Sequence, residues 1–257
     1  MRIALYQMHI AWEDKAANMA KMEEQLKAAS ENKAELLLLP EMSFTGFSMN
    51  TDVTKEADEK MVERISALAR QYQVAIGFGW AKDCGQKSEN HYTIVDKHGF
   101  CLLDYAKIHP FSYSGEDLKF RGGERLTSFV LGDVPCASFI CYDLRFPEIF
   151  QIASKTAHVI IVPANWPAKR SSHWKTLLQA RAIENQVYIL AVNCVGQINS
   201  LYYSGDSCVI NPDGQVLTML SDTEGLIFYD LVDDVELYRS SFPVKKDRRE
   251  ELYRVLR

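Results

Sequence analysis

Residues 36–41 read Leu36-Leu37-Leu38-Leu39-Pro40-Glu41. Four leucines without a polar residue among them offer no water-facing side, so the run reads as a strand buried on both faces. The proline that follows has no N–H to give to a ladder and ends the strand, leaving a carboxylate just beyond it. Working back along the chain, Met19, Met22, Leu26 and Ala29 fall on one helical face, and Ile3–Met8 reads as another buried strand. Working forward, Met61, Ile65, Leu68 and Tyr72 mark a second helix, and Val74–Phe78 a further strand. This strand–helix–strand–helix–strand order implies helices packed on a sheet, an α/β layered class rather than all-β or a bundle.

The rest of the chain continues in the same manner. Tyr92–Val95 and Cys101–Tyr105 flank the turn Asp96-Lys97-His98-Gly99, and Ser207–Ile210 and Val216–Leu220 flank Asn211-Pro212-Asp213-Gly214. Proline pre-sets φ early in the second turn, and glycine accepts a positive φ late in both. The recurrence suggests two similar halves. Further strands are expected at Ala137–Ile140, Val159–Val162, Tyr188–Val192 and Leu226–Asp230, and a helix from Trp174 to Glu184 with Trp174, Leu177, Leu178 and Arg181 on one face. Core packing, with Arg181 and Glu184 in structural ion pairs, is the plain account of that helix. No linker or composition shift divides the chain, so a single domain over 1–257 is expected.

Composition narrows the function classes. The chain has 257 residues, of which 47% are hydrophobic and 25% charged, the balance of a globular protein with a large core. Its net charge of −5 lacks the electrostatic footprint of a nucleic-acid or anionic-membrane binder, so a small-molecule partner is expected. No apolar run approaches the roughly 18 residues of a membrane span. The opening MRIALYQMHIAWED meets Glu13 and Asp14 without a small-residue cleavage site, so no secretory leader is expected. The six cysteines form no CxxC pair, which suits reduced thiols in a cytoplasmic protein, each a core residue or a reagent. Zinc-ligand spacing, GxGxxG and P-loop patterns are missing, and neither metal nor organic cofactor is expected. The tail KKDRREELYRVLR mixes charge signs and reads as a solvated helix or a subunit contact.

Three segments carry residues suited to chemistry. In Ala137–Glu148 (ASFICYDLRFPE) a buried strand is expected to end at Cys141, with Pro147 opening a helix. A thiol at such a corner lies at the carboxyl edge of a sheet, where open α/β proteins bind ligands, and backbone N–H groups just after it can face a developing oxyanion. The bland alternative is a core cysteine. Glu41, beside apolar neighbours, suits acid–base work, or else caps a loop or pairs with an arginine. Lys107, in Tyr105–Phe111 (YAKIHPF), ends a hairpin strand, where a lysine ordinarily points into water. Gly115-Glu116-Asp117 and Arg121-Gly122-Gly123-Glu124 then form a glycine-rich loop carrying acids.

Taken in order, these segments resemble the nitrilase superfamily of carbon–nitrogen hydrolases. The family's catalytic glutamate segment is matched by Pro40-Glu41 and Gly46-Phe47, and its lysine segment by Lys107, His109 and Phe111. Its cysteine segment is matched throughout from Cys141 to Glu148, and a further family glutamate is best matched by Glu116. The likeness runs from Ile3 to about Asp230. Around Pro163–Arg170 and His173–Gln186 it narrows to the omega-amidase branch, which hydrolyses the terminal amide of 2-oxoglutaramate or 2-oxosuccinamate.

The resemblance implies a four-layer α-β-β-α sandwich that forms homodimers. It also implies that Glu41 takes the Cys141 proton, that Cys141 attacks the amide carbon, and that Lys107 with a backbone N–H near Tyr142 holds the oxyanion. Glu116 would position Lys107 or Glu41. Phe111, Tyr142 and Trp166 are candidates to wall a small flat pocket. Arg170 is the candidate anchor for a distal carboxylate, because guanidinium matches carboxylate bidentately; a surface Arg170 paired with a local acid is the alternative. Another amide or carbamoyl hydrolase of the same family, or a catalytically idle interaction module of the same fold, are the competing expectations.

Overall fold

The computed structural model describes residues 1–57 and 60–255, apart from the Arg254 side chain. Two seven-stranded sheets are formed. The first contains β1 (Arg2–Gln7), β2 (Leu36–Leu38), β3 (Lys55–Glu56), β4 (Ala75–Asp83), β5 (Ser88–Val95), β6 (Cys101–Ala106) and β14 (Gly225–Asp230), in the order β14-β1-β2-β4-β5-β6 with β3 beside β4. The second contains β7 (Ser128–Leu131), β8 (Val134–Ser138), β9 (Val159–Ala164), β10 (Tyr188–Asn193), β11 (Val195–Ile198), β12 (Leu201–Ile210) and β13 (Val216–Ser221), in the order β11-β12-β10-β9-β8-β7 with β13 beside β12. The helices are α1 (Lys15–Glu31), α2 (Thr51–Thr54), α3 (Lys60–Tyr72), α4 (Glu116–Lys119), α5 (Pro147–Ala153), α6 (Ser171–Asn185), α7 (Val235–Ser241) and α8 (Glu250–Val255). None of the described helices is long and apolar enough to cross a membrane.

The leucine run shows why the layers form. Side chains alternate across a strand. Leu36 and Leu38 accordingly join Ile3 and Leu5 in a core shared with Ile160, Ile161 and Leu190 of the second sheet. Leu37 and Leu39 face the other way and pack with Met22 and Leu26 of α1 and Ile65 of α3. On the second sheet, Trp174, Leu178 and Ala182 of α6 and Phe150 of α5 pack with its buried strands, α6 lying against β10 and β12. Helices, sheet, sheet and helices therefore stack in four layers, the α-β-β-α sandwich expected. Both sheets have a parallel centre, β1-β2-β4 in one and β8-β9-β10 in the other, with antiparallel hairpins at the flanks. The turns Asp96–Gly99 and Asn211–Gly214 each end on a glycine with φ of +81°.

One expectation is corrected. The strand before the nucleophile candidate ends at Ser138, not at Cys141. Phe139 N–H still reaches the Ile161 carbonyl at 3.0 Å, but the next amide, Ile140 N–H, is taken by the Asp143 carboxylate at 3.1 Å. A side-chain acceptor thus replaces the ladder and bends the chain into a 3₁₀ turn over Cys141–Arg145 before Pro147 opens α5. The short strands β7 and β11 were not anticipated. Within the tail, residues 250–255 form α8, and Leu256 and Arg257 lie outside the described residues.

Candidate active site

The parallel strands bring remote segments to one end of the sandwich: Glu41 follows β2, Lys107 follows β6, Cys141 follows β8, and Asn165 and Trp166 follow β9. The Glu41 loop is held tightly. Ser43 Oγ donates to the Pro40 carbonyl at 2.6 Å and accepts from Gly79 N–H at 3.0 Å, while Ser43 N–H donates to the Gly79 carbonyl at 3.0 Å. A Cβ on Gly79 would lie 2.2 Å from Met42 N and 2.9 Å from Glu41 Cα, so only glycine lets β4 pass this close.

At the centre is a buried chain of charges. The Lys107 ammonium donates to Glu41 Oε1 at 2.9 Å and to Glu116 Oε2 at 2.9 Å, and all three residues are at most 1% exposed. The Asn90 amide bridges the same carboxylates, donating to Glu41 Oε1 at 2.8 Å and Glu116 Oε1 at 3.1 Å. The backbone N–H of Asn165 donates to Glu41 Oε2 at 2.9 Å. Burial works against the ammonium, but the carboxylates of Glu116 and Glu41 outweigh it and hold Lys107 above the ordinary lysine pKa. Lysine at this strand end therefore faces inward, not into water.

Cys141 sits where the 3₁₀ turn begins, with φ of +47°, a left-handed backbone that a residue with a Cβ adopts only under constraint. Asp143 supplies that constraint. Its buried carboxylate accepts from Ile140 N–H, from Tyr105 Oη at 2.8 Å and from His109 N–H at 3.0 Å, with His109 Nδ1 a further 2.8 Å contact. Arg181 of α6 donates to the Leu144 carbonyl through Nε at 3.1 Å and Nη2 at 2.8 Å, and pairs with Glu184 at 2.8 Å. The expected ion pair exists, and the same guanidinium also braces the turn. Burial pushes the Cys141 thiol well above its usual pKa, Glu41 adds to the rise, and Lys107 and the Asn165 N–H oppose it. The sulfur is thus a protonated thiol at neutral pH with a carboxylate in contact with it.

Cys141 and Lys107 open into a small cavity of about 80 Å³ whose walls include Phe47, Phe111, Tyr142, Trp166 and Tyr203. Arg170 lines it, 5.5 Å from the Phe111 ring centre. Glu41 and Glu116 lie behind the wall. Sequence reasoning missed Arg145, which also lines the cavity, 4.7 Å from the Trp166 ring centre. Burial, and then the like charge of Arg170, lower its pKa. Among the described residues neither guanidinium is ion-paired with a carboxylate. Asn90, Asn165 and Gly79 were missed as well; Arg145 alone had a local signal, its place four residues after the cysteine.

This arrangement suits acyl transfer: a thiol and an ammonium face a small, largely apolar pocket, with the Glu41 carboxylate directly behind them. The comparisons with known proteins agree. The Carbon-nitrogen hydrolase family model matches residues 2–240. A 2-oxoglutaramate amidase of Bacillus subtilis (strain 168) is 34% identical, covering 98% of both chains. Omega-amidase YafV of Escherichia coli (strain K12) is 32% identical, covering 97% of both. The solved structure of XC1258 from Xanthomonas campestris, a CN-hydrolase superfamily protein with an arsenic adduct in its active site, superposes with a TM-score of 0.90 at 29% identity, covering 96% of this chain and 97% of that one. The chain belongs to the carbon–nitrogen hydrolase family, as a nitrilase-superfamily hydrolase of amide bonds.

Proposed function

We propose that this hydrolase is an omega-amidase, cleaving the terminal amide of a small 2-oxo dicarboxylate monoamide such as 2-oxoglutaramate or 2-oxosuccinamate. The observation that carries the substrate class is the pair of guanidiniums, Arg145 and Arg170, lining the Cys141 cavity without carboxylate partners among the described residues. Two uncompensated cations beside an apolar pocket favour a ligand that brings its own negative charge, and arginine binds carboxylate through parallel hydrogen bonds. The similarity to enzymes named 2-oxoglutaramate amidase and omega-amidase supports the same class.

In this reading Glu41 takes the proton of Cys141, whose sulfur forms a bond to the amide carbon. The oxyanion is met by the Lys107 ammonium and the backbone N–H of Tyr142. Glu41 then passes the proton to the nitrogen, the carbon–nitrogen bond breaks, and ammonia leaves an acyl thioester. Water, deprotonated by Glu41, attacks that thioester; the sulfur regains its proton and the free acid departs. Glu116 positions Lys107, while Phe111, Tyr142 and Trp166 flank the substrate. The same reading takes the enzyme as a cytoplasmic homodimer, to which the exposed Ile152 of α5 and Ile183 of α6 would offer apolar surface for the second copy.

The test is ammonia release from a panel of amides matched in length, with and without a distal carboxylate. The proposal expects the carboxylate-bearing amides to be preferred by at least tenfold in kcat/KM, and Arg170→Ala or Arg145→Ala to erase most of that preference. A panel with no carboxylate preference would overturn it.

A further inference from the structure

Asn165 follows β9 directly and is 5% exposed. Its backbone N–H donates to Glu41 Oε2 at 2.9 Å and also interacts with the Cys141 sulfur. Its side-chain Nδ2 donates to the backbone carbonyl of Glu41. Both donors are therefore engaged at the base, which fixes which end of the side-chain amide is which. The other side-chain polar atom, Oδ1, is buried and has no hydrogen-bond partner among the described residues. Buried acceptors are almost always satisfied, so an orphaned one in a residue lining a ligand cavity points to a donor on the ligand. Asn90 Oδ1 is also unpartnered, but Asn90 does not line that cavity.

We propose that Asn165 Oδ1 accepts one N–H of the substrate's carboxamide and makes the site selective for primary amides. The inference rests on the amide-hydrolase reading of the same site. A primary amide nitrogen carries two N–H groups. When the sulfur–carbon bond forms and the carbonyl electrons move onto oxygen, that nitrogen becomes pyramidal and gains a lone pair. An N–H held by Asn165 turns the lone pair toward Glu41, which delivers the proton taken from Cys141, and the nitrogen leaves as ammonia. The Asn165 oxygen is a neutral amide acceptor and does not compete for that proton. An N-methyl amide whose methyl group occupies the position facing Asn165 leaves Oδ1 unpaired, and a nitrile has no N–H to give.

The experiment compares kcat/KM for a primary amide, its N-methyl derivative and the methyl ester of the same acid. Wild-type protein is expected to favour the primary amide over the N-methyl amide by about a hundredfold, the upper end of what leaving one buried acceptor unpaired costs. In Asn165→Ala, and in Asn165→Ser should the first fail to fold, the ratio of primary to N-methyl amide is expected to fall by about tenfold or more, while turnover of the methyl ester shows that the variant's thiol still reacts. An Asn165 that served only to hold Glu41 would slow both amides alike, since both need the same proton on nitrogen, so an unchanged ratio overturns the proposal. So does wild-type turnover of the N-methyl amide within threefold of the primary amide. A wild type that releases ammonia from no amide at all would overturn the underlying reading instead.

Discussion

Glu116→Gln tests how the buried charges share the work. Glu116 does not itself line the cavity, yet both its oxygens accept from the Lys107 ammonium, at 3.1 and 2.9 Å, and one also accepts from the backbone N–H of Phe111. Two unit charges 2.9 Å apart interact by about 332/(20 × 2.9), or roughly 6 kcal/mol, at an effective dielectric constant of about 20. Glutamine keeps an acceptor near the ammonium and removes the cost of burying a carboxylate, which offsets about half of that. A net loss of about 3 kcal/mol is the lower end for breaking a buried ion pair. Without Glu116 the ammonium is drawn onto Glu41, 2.9 Å away on its other side. It then holds the oxyanion less well, and Glu41 is less free to take the Cys141 proton. Since about 1.4 kcal/mol is tenfold in rate, kcat should fall by about a hundredfold. KM should stay within about threefold, because no substrate contact is lost. Steady-state ammonia release, with an unfolding curve to show that the variant is folded, measures both. A folded Glu116→Gln with kcat within threefold of wild type would refute the positioning role.

Two further outcomes follow from the same geometry. Gly79→Ala puts a Cβ against Met42 N and Glu41 Cα; the loop must shift, and kcat should fall by about tenfold or more with the substrate preference retained, since the cavity walls are untouched. Asp206, 1% exposed, accepts from the hydroxyls of Ser171, Ser204 and Ser221 and pairs with Lys175 at 2.9 Å, tying the start of α6 to β12 and β13. Burial pushes its pKa up, but these hydrogen bonds outweigh it and hold the carboxyl below its ordinary value. The stabilisation is therefore present above the unfolded-state pKa of about 3.9 and is lost as pH falls through the lower folded-state value. Asp206→Asn should cost about 1–3 kcal/mol at pH 7, and the gap to wild type should narrow as pH falls below the unfolded-state value, as read by denaturant unfolding across pH.

What was legible in the sequence was local. The leucine run carries its own instruction to be buried on both sides, and Leu36–Leu39 divides between two cores as such a strand must. Glu41, Lys107 and Cys141 each follow a strand end, but it is their order and the likeness of their segments to the nitrilase superfamily that single them out. What could not be read is defined by partners distant in sequence. Asn165 gains its meaning from Glu41, 124 residues earlier, and Gly79 from a loop whose path no local pattern states. The misplaced end of β8 has a similar origin: apolar Phe139 and Ile140 favour a longer strand, and the Asp143 carboxylate outcompetes the ladder. Arg145 lies four residues after Cys141, but only the folded chain shows that it faces the same cavity as Arg170.

The account depends most on the sulfur of Cys141 carrying the acyl group. The direct measurement is mass spectrometry of protein quenched in acid during turnover of a carboxylate-bearing amide, followed by peptide mapping. The predicted result is an adduct equal to the substrate less ammonia, on the peptide holding Cys141 and missing in Cys141→Ala, which should also release no ammonia. An adduct on any other residue, or turnover that persists in Cys141→Ala, would contradict it.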